Sequence, residues 1–231
     1  MKNFLSISLL LLLTGCATHP HVSTSLMKKG DTEKGLIFSL ENIIPVYNFR
    51  YGLTDRSNIG IRVGIPIYGS GLDYSRLLYS RDRKWDVLNL SWSLNPNYNI
   101  DATYYKFYQF KAKGESPPPV FWWALRMMYI PKGVMGKTSN RFGVLLGIKP
   151  WPNKGFEIGY FHDSNAMPLA KVFSPSWRWD SPENVARYGD TPHVAPSGMP
   201  SEFSRLTGIS FQFFIDLNPP ALVTETPVGD D

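Results

Sequence analysis

Hydrophobic and polar residues alternate one by one along several stretches of the chain. In the clearest stretch, 58–67, every odd position is isoleucine or valine, and every even position is Asn, Gly, Arg or Pro. A period of two is the mark of a β-strand whose two faces meet different surroundings. The same period recurs at 86–94, 119–130, 140–149 and 208–217. The pattern therefore predicts an all-β protein.

The two faces of these segments favour a membrane barrel. One row holds large aliphatic and aromatic side chains, and the other mixes Gly, Ser and Asn with charged residues. A barrel with lipid outside and a narrow polar interior needs this arrangement, and closure pairs every backbone group. A soluble β-sandwich on a lipid tether would also alternate and stays an alternative. Aromatic girdles at the membrane surfaces are expected from Tyr47, Tyr51, Trp85, Trp92, Trp122, Trp123, Trp151 and Tyr160.

Turn signals divide the chain into ten candidate strands. They lie at about 35–40, 43–52, 57–67, 71–79, 85–94, 99–110, 119–130, 140–149, 154–163 and 204–217. Because the first is short and 71–79 and 99–110 alternate poorly, eight strands is the alternative. We predict an antiparallel transmembrane β-barrel of eight to ten strands. The tight turns at 52–57 and 149–154 are expected at the periplasmic end, and the Pro-rich connection 163–202 is expected as one long extracellular loop.

The amino terminus has the features of a secretory signal. A short positive start precedes an apolar run from Phe4 to Leu13, which is far below the roughly 20 residues of a membrane-spanning helix. The following Leu-Thr-Gly-Cys resembles the bacterial lipobox, which implies cleavage before a lipidated Cys16 and sorting to the outer membrane. The expected organisation is a signal peptide at 1–15, a lipidated tether at 16–34, the barrel at 35–217, and a disordered periplasmic tail at 218–231.

Composition narrows the function classes. The formal net charge is +5, with a single cysteine and four histidines. One cysteine excludes an internal disulfide framework and a multi-cysteine zinc site. With no long basic run and no zinc-finger or helix-turn-helix pattern, no nucleic-acid partner is expected. We predict no metal and no organic cofactor. The expected partner is outer-membrane lipid, in particular lipopolysaccharide.

One short motif carries chemistry. The segment Tyr-Phe-His-Asp-Ser-Asn-Ala at 160–166 follows the ninth strand, with His162 on the apolar row and Ser164 in phase with it. An imidazole on a lipid-facing row is costly without a purpose. The stretch resembles the His-x-Ser-Asn-Ala motif of the outer-membrane lipid A 3-O-deacylases. That resemblance implies a serine esterase on the outside of the barrel, which removes an acyl chain from lipid A.

By the same resemblance His162 is the base, Ser164 the nucleophile, and Asn165 a contributor to site geometry or to oxyanion binding. A neutral imidazole can take the serine proton, and a carboxylate steadies the resulting imidazolium. The chain departs from the family after Ala166, where Met167 replaces glycine. Four acids are candidates for the carboxylate, and Glu202 is favoured because it lies beside the last strand: Asp180, Glu183, Asp190 and Glu202.

A structural or adhesive barrel without enzymatic activity, acting through the connection 163–202, is the alternative function. Asp, Ser and Asn after a strand are also ordinary turn residues, and a histidine beside Tyr160 can belong to an aromatic girdle. Charged residues on the inward row are expected to form a salt-bridge network that fills the barrel, rather than a transport pathway: Arg62, Arg126, Arg141, Lys149, Glu157 and Asp216.

Overall fold

The structure, a computed structural model, describes residues 20–39, 42–64, 69–94, 99–111, 117–131, 139–163 and 209–218. All regular structure in these ranges is β-strand. No helix there is long and apolar enough to cross a membrane.

Ten antiparallel strands form one closed barrel. They are β1 (Thr32–Ser39), β2 (Asn42–Thr54), β3 (Ser57–Val63), β4 (Gly71–Arg81), β5 (Lys84–Ser93), β6 (Ile100–Gln109), β7 (Val120–Ile130), β8 (Ser139–Trp151), β9 (Lys154–Asp163) and β10 (Ile209–Asp216). Each strand pairs with its neighbours in sequence, and β1 pairs with β10 to close the ring. The predicted all-β antiparallel barrel is confirmed, with ten strands rather than eight.

Alternation places the large apolar rows on the outside of the barrel. Ile61, Val144 and Phe211 are 40%, 52% and 39% exposed, whereas their sequence neighbours Arg62 and Leu145 are buried. A sandwich would bring those three side chains together in a shared core. The sandwich alternative is therefore wrong.

The two strands that alternate poorly in sequence obey the same rule. In β4 Asp73 points inward and is 3% exposed, and in β6 Asp101 points inward and is 1% exposed. Charged residues on the outward face, Arg76 and Lys106, and an aromatic residue on the inward face, Tyr105, weaken the contrast between the two faces in sequence. Pairing with the strongly alternating β3, β5 and β7 determines which way they face.

Three two-residue turns lie at one end of the barrel, which we call the hairpin end. They are the turns at 55–56, 82–83 and 152–153. The prediction that the turns at 52–57 and 149–154 share an end is confirmed. The connection that follows β9 leaves from the opposite end, and residues 164–208 lie outside the described part of the chain.

An aromatic layer fills the interior near the hairpin end, contrary to the expectation of a wholly polar interior. Trp85 stacks on Phe107 with ring centroids 5.3 Å apart, Phe107 contacts Trp122 at 5.8 Å, and Trp122 contacts Phe214 at 6.1 Å. The prediction of Trp85 and Trp122 as girdle residues is wrong. Trp122 and Trp123 are adjacent in a strand, so only one of them can face outward, and that one is Trp123.

Glycines on the neighbouring strands make room for these rings. A Cβ atom at Gly147 would lie 2.1 Å from the Trp122 ring, which no real contact allows. Gly147 is the register partner of Trp122 on β8. The large ring on one strand therefore depends on the missing side chain on the next.

Residues 20–27, which we call the N-terminal cap, pack across the hairpin end of the barrel. His21, Val22 and Met27 are buried, and the His21 ring lies 3.8 Å from the Phe214 ring, centroid to centroid. A Cβ atom at Gly52 would lie 1.9 Å from the Lys28 carbonyl oxygen, so only glycine permits this approach. The structure thus differs from the expected tether at 16–34: residues 20–31 pack on the barrel, and β1 begins at Thr32 rather than at 35.

Candidate active site

His162 lies on the outward face of β9, at the end opposite the hairpins. Its register partner on β8 is Phe142, which is 49% exposed, and the residue two positions before it, Tyr160, is 38% exposed. Side chains of register partners point to the same side of a sheet. The predicted position of this histidine, on the apolar outer row near a strand end, is confirmed.

The imidazole is shielded although the wall around it is exposed. His162 is only 7% exposed. The Tyr160 hydroxyl lies 3.5 Å from its Nδ1 atom, at the long limit of a hydrogen bond, and the two rings are 6.4 Å apart, centroid to centroid. Shielding from water strengthens any hydrogen bond that the ring makes, which suits an imidazole that has to accept a proton from a hydroxyl.

The remaining predicted site residues lie outside the described residues. These are Ser164, Asn165, the four candidate acids between 180 and 202, and the lipidation site Cys16. Ser164 comes directly after β9 and two residues after His162 along the chain. Its distance from the imidazole, and the identity of the acid, remain predictions.

The predicted charged residues of the inward row all lie in the barrel interior. Arg62, Arg126, Arg141, Lys149, Glu157 and Asp216 are each 8% exposed or less. Arg126 pairs with Asp101 at 2.7 Å, Lys149 pairs with Asp216, and the Trp122 ring nitrogen donates to Glu157 at 2.6 Å. A buried network that fills the barrel, as predicted, is confirmed.

Sequence reasoning missed the central part of this network. Arg50 pairs with Asp73 at 2.7 Å and also donates to Ser75 and to the His21 backbone oxygen. Asp101 accepts hydrogen bonds from Ser91, Asn99 and Arg126 on one oxygen. The available signal was parity: Asp73 and Asp101 fall on inward positions once the register of the neighbouring strands is known.

Sequence reasoning also missed the cluster formed by the cap. His21 was assigned to a tether, and here it is buried beside Glu33 of β1 and Asp216 of β10. No local pattern indicates this contact, because it joins the two ends of the chain.

Comparisons with known proteins give no match: no family model, curated protein or solved structure resembles the chain beyond chance. The resemblance of 160–166 to lipid A 3-O-deacylases is carried by those few residues alone and stays a prediction.

Proposed function

We propose that the protein is an outer-membrane β-barrel lipoprotein, anchored through Cys16, that hydrolyses an acyl ester of lipid A or a related outer-leaflet lipid. The observation that carries this proposal is the position of His162. It lies on the apolar outer wall, at the strand end away from the hairpins, and it is followed after one residue by a serine.

The outer surface supports a membrane location. Leu, Ile, Val and Met side chains on its middle zone are about half exposed, as at Leu125, Met127 and Val144. Water would be a poor solvent for so much apolar surface, whereas hydrocarbon suits it. The closed ring leaves no strand edge, which lipid also requires because it cannot hydrogen-bond to backbone groups.

The cap supports the orientation. Cys16 precedes Pro20 by four residues, a span of at most about 14 Å in extended chain, and Pro20 is packed at the hairpin end. Acyl chains on Cys16 would therefore enter the membrane leaflet nearest that end. A lipoprotein anchor lies in the inner leaflet of the outer membrane, so the hairpin end would face the periplasm and His162 would lie at the outer leaflet.

The proposed chemistry is acyl transfer in two steps. His162 takes the proton of the Ser164 hydroxyl as its oxygen attacks the ester carbonyl, and Asn165 helps to hold the oxyanion. The proton then passes from the imidazolium to the departing sugar oxygen. Water, activated by the same imidazole, releases the fatty acid from the serine. A carboxylate, for which we favour Glu202, steadies the imidazolium.

Mass spectrometry of lipid A from cells expressing the protein tests this function. The full-length protein is expected to produce lipid A that lacks one ester-linked acyl chain. Ser164→Ala and His162→Ala are each expected to lower that product by at least about a thousandfold, because base and nucleophile act as a unit. Ser80→Ala, which alters an exposed serine near the hairpin end, is the matched control and is expected to keep full activity.

Two results would contradict the proposal. If Ser164→Ala retains the deacylated product, the serine mechanism is wrong. If no deacylated product forms with correctly inserted protein, the alternative of a structural or adhesive barrel is favoured. In that alternative the filled interior leaves the outer surface and the connection 163–202 as the parts available for function.

A further inference from the structure

Three potential metal-ligand atoms converge where the N-terminal cap meets the closing seam of the barrel. His21 comes from the cap, Glu33 from β1 and Asp216 from β10. The His21 Nε2 atom lies 3.9 Å from Glu33 Oε1 and 3.8 Å from Asp216 Oδ1. The three residues are 4%, 5% and 3% exposed. Three distant parts of the sequence thus bring one nitrogen and two oxygens to one buried point.

Each of these three atoms lacks a hydrogen-bond partner within the described part of the chain. His21 Nε2, Glu33 Oε1 and Asp216 Oδ1 are all buried and unsatisfied. Native proteins rarely leave such atoms unpaired, because each costs about 1–3 kcal/mol. The described residues contain twenty buried side-chain atoms without such a partner, and these three are set apart because they face one another, as the ligands of one ion would.

In each carboxylate, the oxygen that does not face His21 accepts a hydrogen bond, and this holds the other oxygen toward His21. The Ser23 hydroxyl donates to Glu33 Oε2 at 2.6 Å, and Lys149 donates to Asp216 Oδ2. Hydrogen bonds of this kind orient metal ligands in proteins. Among the described residues, the one ion pair that these two carboxylates form with a lysine or arginine is that between Asp216 and Lys149, so a divalent cation is also favoured by charge.

We propose that His21, Glu33 and Asp216 bind one divalent transition-metal ion, with Zn²⁺ the best fit. Zinc binds imidazole nitrogen and carboxylate oxygen at about 2.0–2.2 Å, so ligand atoms on one tetrahedral ion are about 3.4 Å apart. The distances from His21 Nε2 to the two carboxylate oxygens exceed this by about half an ångström, and all three atoms lie within 4.8 Å of one another, so an ion has to draw them together. Ca²⁺ and Mg²⁺ prefer sites made entirely of oxygen ligands. Three protein ligands leave the fourth position for water.

A metal ion at this point clamps the cap to the barrel. It connects the cap to both strands of the seam at once, and therefore closes the hairpin end more firmly. This proposal does not depend on the esterase or on the membrane location. It differs from the expectation, drawn from the sequence, of a protein without a metal.

Metal binding to the full-length protein, refolded in detergent and treated with a chelator, tests the site. Titration with Zn²⁺, and with Co²⁺ as a spectroscopic probe, is expected to show one equivalent bound, with the visible absorption of a tetrahedral cobalt site. His21→Ala and Glu33→Gln are each expected to weaken binding by at least about a hundredfold, and Ser23→Ala by about tenfold, as for a residue that orients a ligand. His162→Ala, which removes a histidine from the outer wall, is the control and is expected to bind normally.

Trypsin gives a second readout. Lys28 and Lys29 follow the cap and are exposed, but their backbone is held by hydrogen bonds to Asp31 and Asp55. Cleavage there requires local opening of the segment. Zinc at a hundred times its dissociation constant is expected to slow cleavage up to about a hundredfold in the wild type. In His21→Ala it is expected to have no effect.

Three outcomes would overturn the proposal. These are no stoichiometric uptake by the wild type, unchanged uptake by His21→Ala, or loss of uptake in His162→Ala. Cleavage that responds to pH but not to zinc would show instead that a proton on His21 joins the two carboxylates. His21 belongs to the cap and not to a strand, so its replacement leaves the barrel intact, and the wild-type stoichiometry is decisive on its own.

Discussion

Asp101 is a single carboxylate that binds three neighbouring side chains in the barrel interior, toward the end opposite the hairpins. Its Oδ2 atom accepts hydrogen bonds from Ser91, Asn99 and Arg126 at 2.9, 2.8 and 2.7 Å. Asp101 and Arg126 are each only 1% exposed. A buried pair of this kind contributes little net stability compared with apolar residues of the same size, but it is costly to break.

We predict that Asp101→Ala lowers the free energy of unfolding by about 3–5 kcal/mol, because it leaves the Arg126 charge buried without its carboxylate. The double variant Asp101→Leu/Arg126→Met, which replaces the ion pair by apolar side chains, is expected to be nearly as stable as the wild type. Urea unfolding in detergent, followed by tryptophan fluorescence, measures both changes. Asp82→Asn, at an exposed hairpin turn, is the control. A double variant no more stable than Asp101→Ala would contradict the explanation.

At the residue scale, sequence predicted the inward charges better than the inward rings. Arg62, Arg126 and Glu157 were placed correctly, since each lies on the polar row of a strongly alternating strand. Trp85 and Trp122 were misplaced, since a tryptophan near a strand end is compatible with a girdle and with a core. Its direction depends on space opposite, and Gly147 provides that space.

At the scale of the strand, what distinguishes the outer row is its proposed contact with lipid. Val144 lies near the middle of β8 and is 52% exposed, whereas Leu53 lies at the hairpin end of β2 and is 41% exposed. Both face outward. They differ chiefly in depth along the barrel, so they form a matched pair.

We predict that Val144→Arg destabilises the barrel in a lipid bilayer by about 2–4 kcal/mol, and Leu53→Arg by about 0–1 kcal/mol, because the cost of an arginine falls from the midplane to the interface. Denaturant titration in phospholipid vesicles measures both. The same variants in a water-soluble protein would behave alike. Equal effects at the two positions would therefore argue against a membrane-spanning barrel.

Strand positions were largely predictable because they follow from local alternation and turn residues. β9, for example, occupies the predicted 154–163, and β7 starts one residue after the predicted boundary at 119. Strand ends were less predictable, as at β2, which continues to Thr54 because its hairpin with β3 is only two residues long. A strand end depends on its pairing partner, which local sequence does not specify.

At the scale of the whole molecule, aromatic and charged side chains together fill the barrel interior. The aromatic layer and the cap occupy the hairpin end together with the Lys149–Asp216 pair, whereas the Arg126–Asp101 pair lies toward the opposite end. The cap was not predictable from sequence, because residues 20–27 show neither alternation nor an apolar run. Their burial depends on a cavity that exists only once ten strands have closed.

We predict that the folded protein conducts no ions across a planar lipid bilayer. A variant lacking residues 20–27 is expected to be equally silent, because the layer formed by Trp85, Phe107, Trp122 and Phe214 still blocks the interior. A general porin serves as the positive control. Altered gel mobility on heating, a usual property of closed barrels, verifies folding of each sample. Steady channel openings from the wild type would contradict the packed interior.

The candidate site was predictable in part. The outward face and strand position of His162 follow from parity along β9, and the structure confirms them. The partner carboxylate was not predictable, since the four candidate acids follow the last residue of β9 in a proline-rich connection with no strand pattern. Odd and even positions predict the direction of a side chain only within a strand, so they give no information beyond Asp163.

The contacts of His21 impose an order on the maturation of the chain. This residue precedes the first of the ten strands, yet it contacts Phe214 and approaches Asp216, both in the tenth. The cap therefore cannot dock until β10 has paired with β1. Until then the cap has no docking site on the barrel, so its docking reports that the barrel has closed.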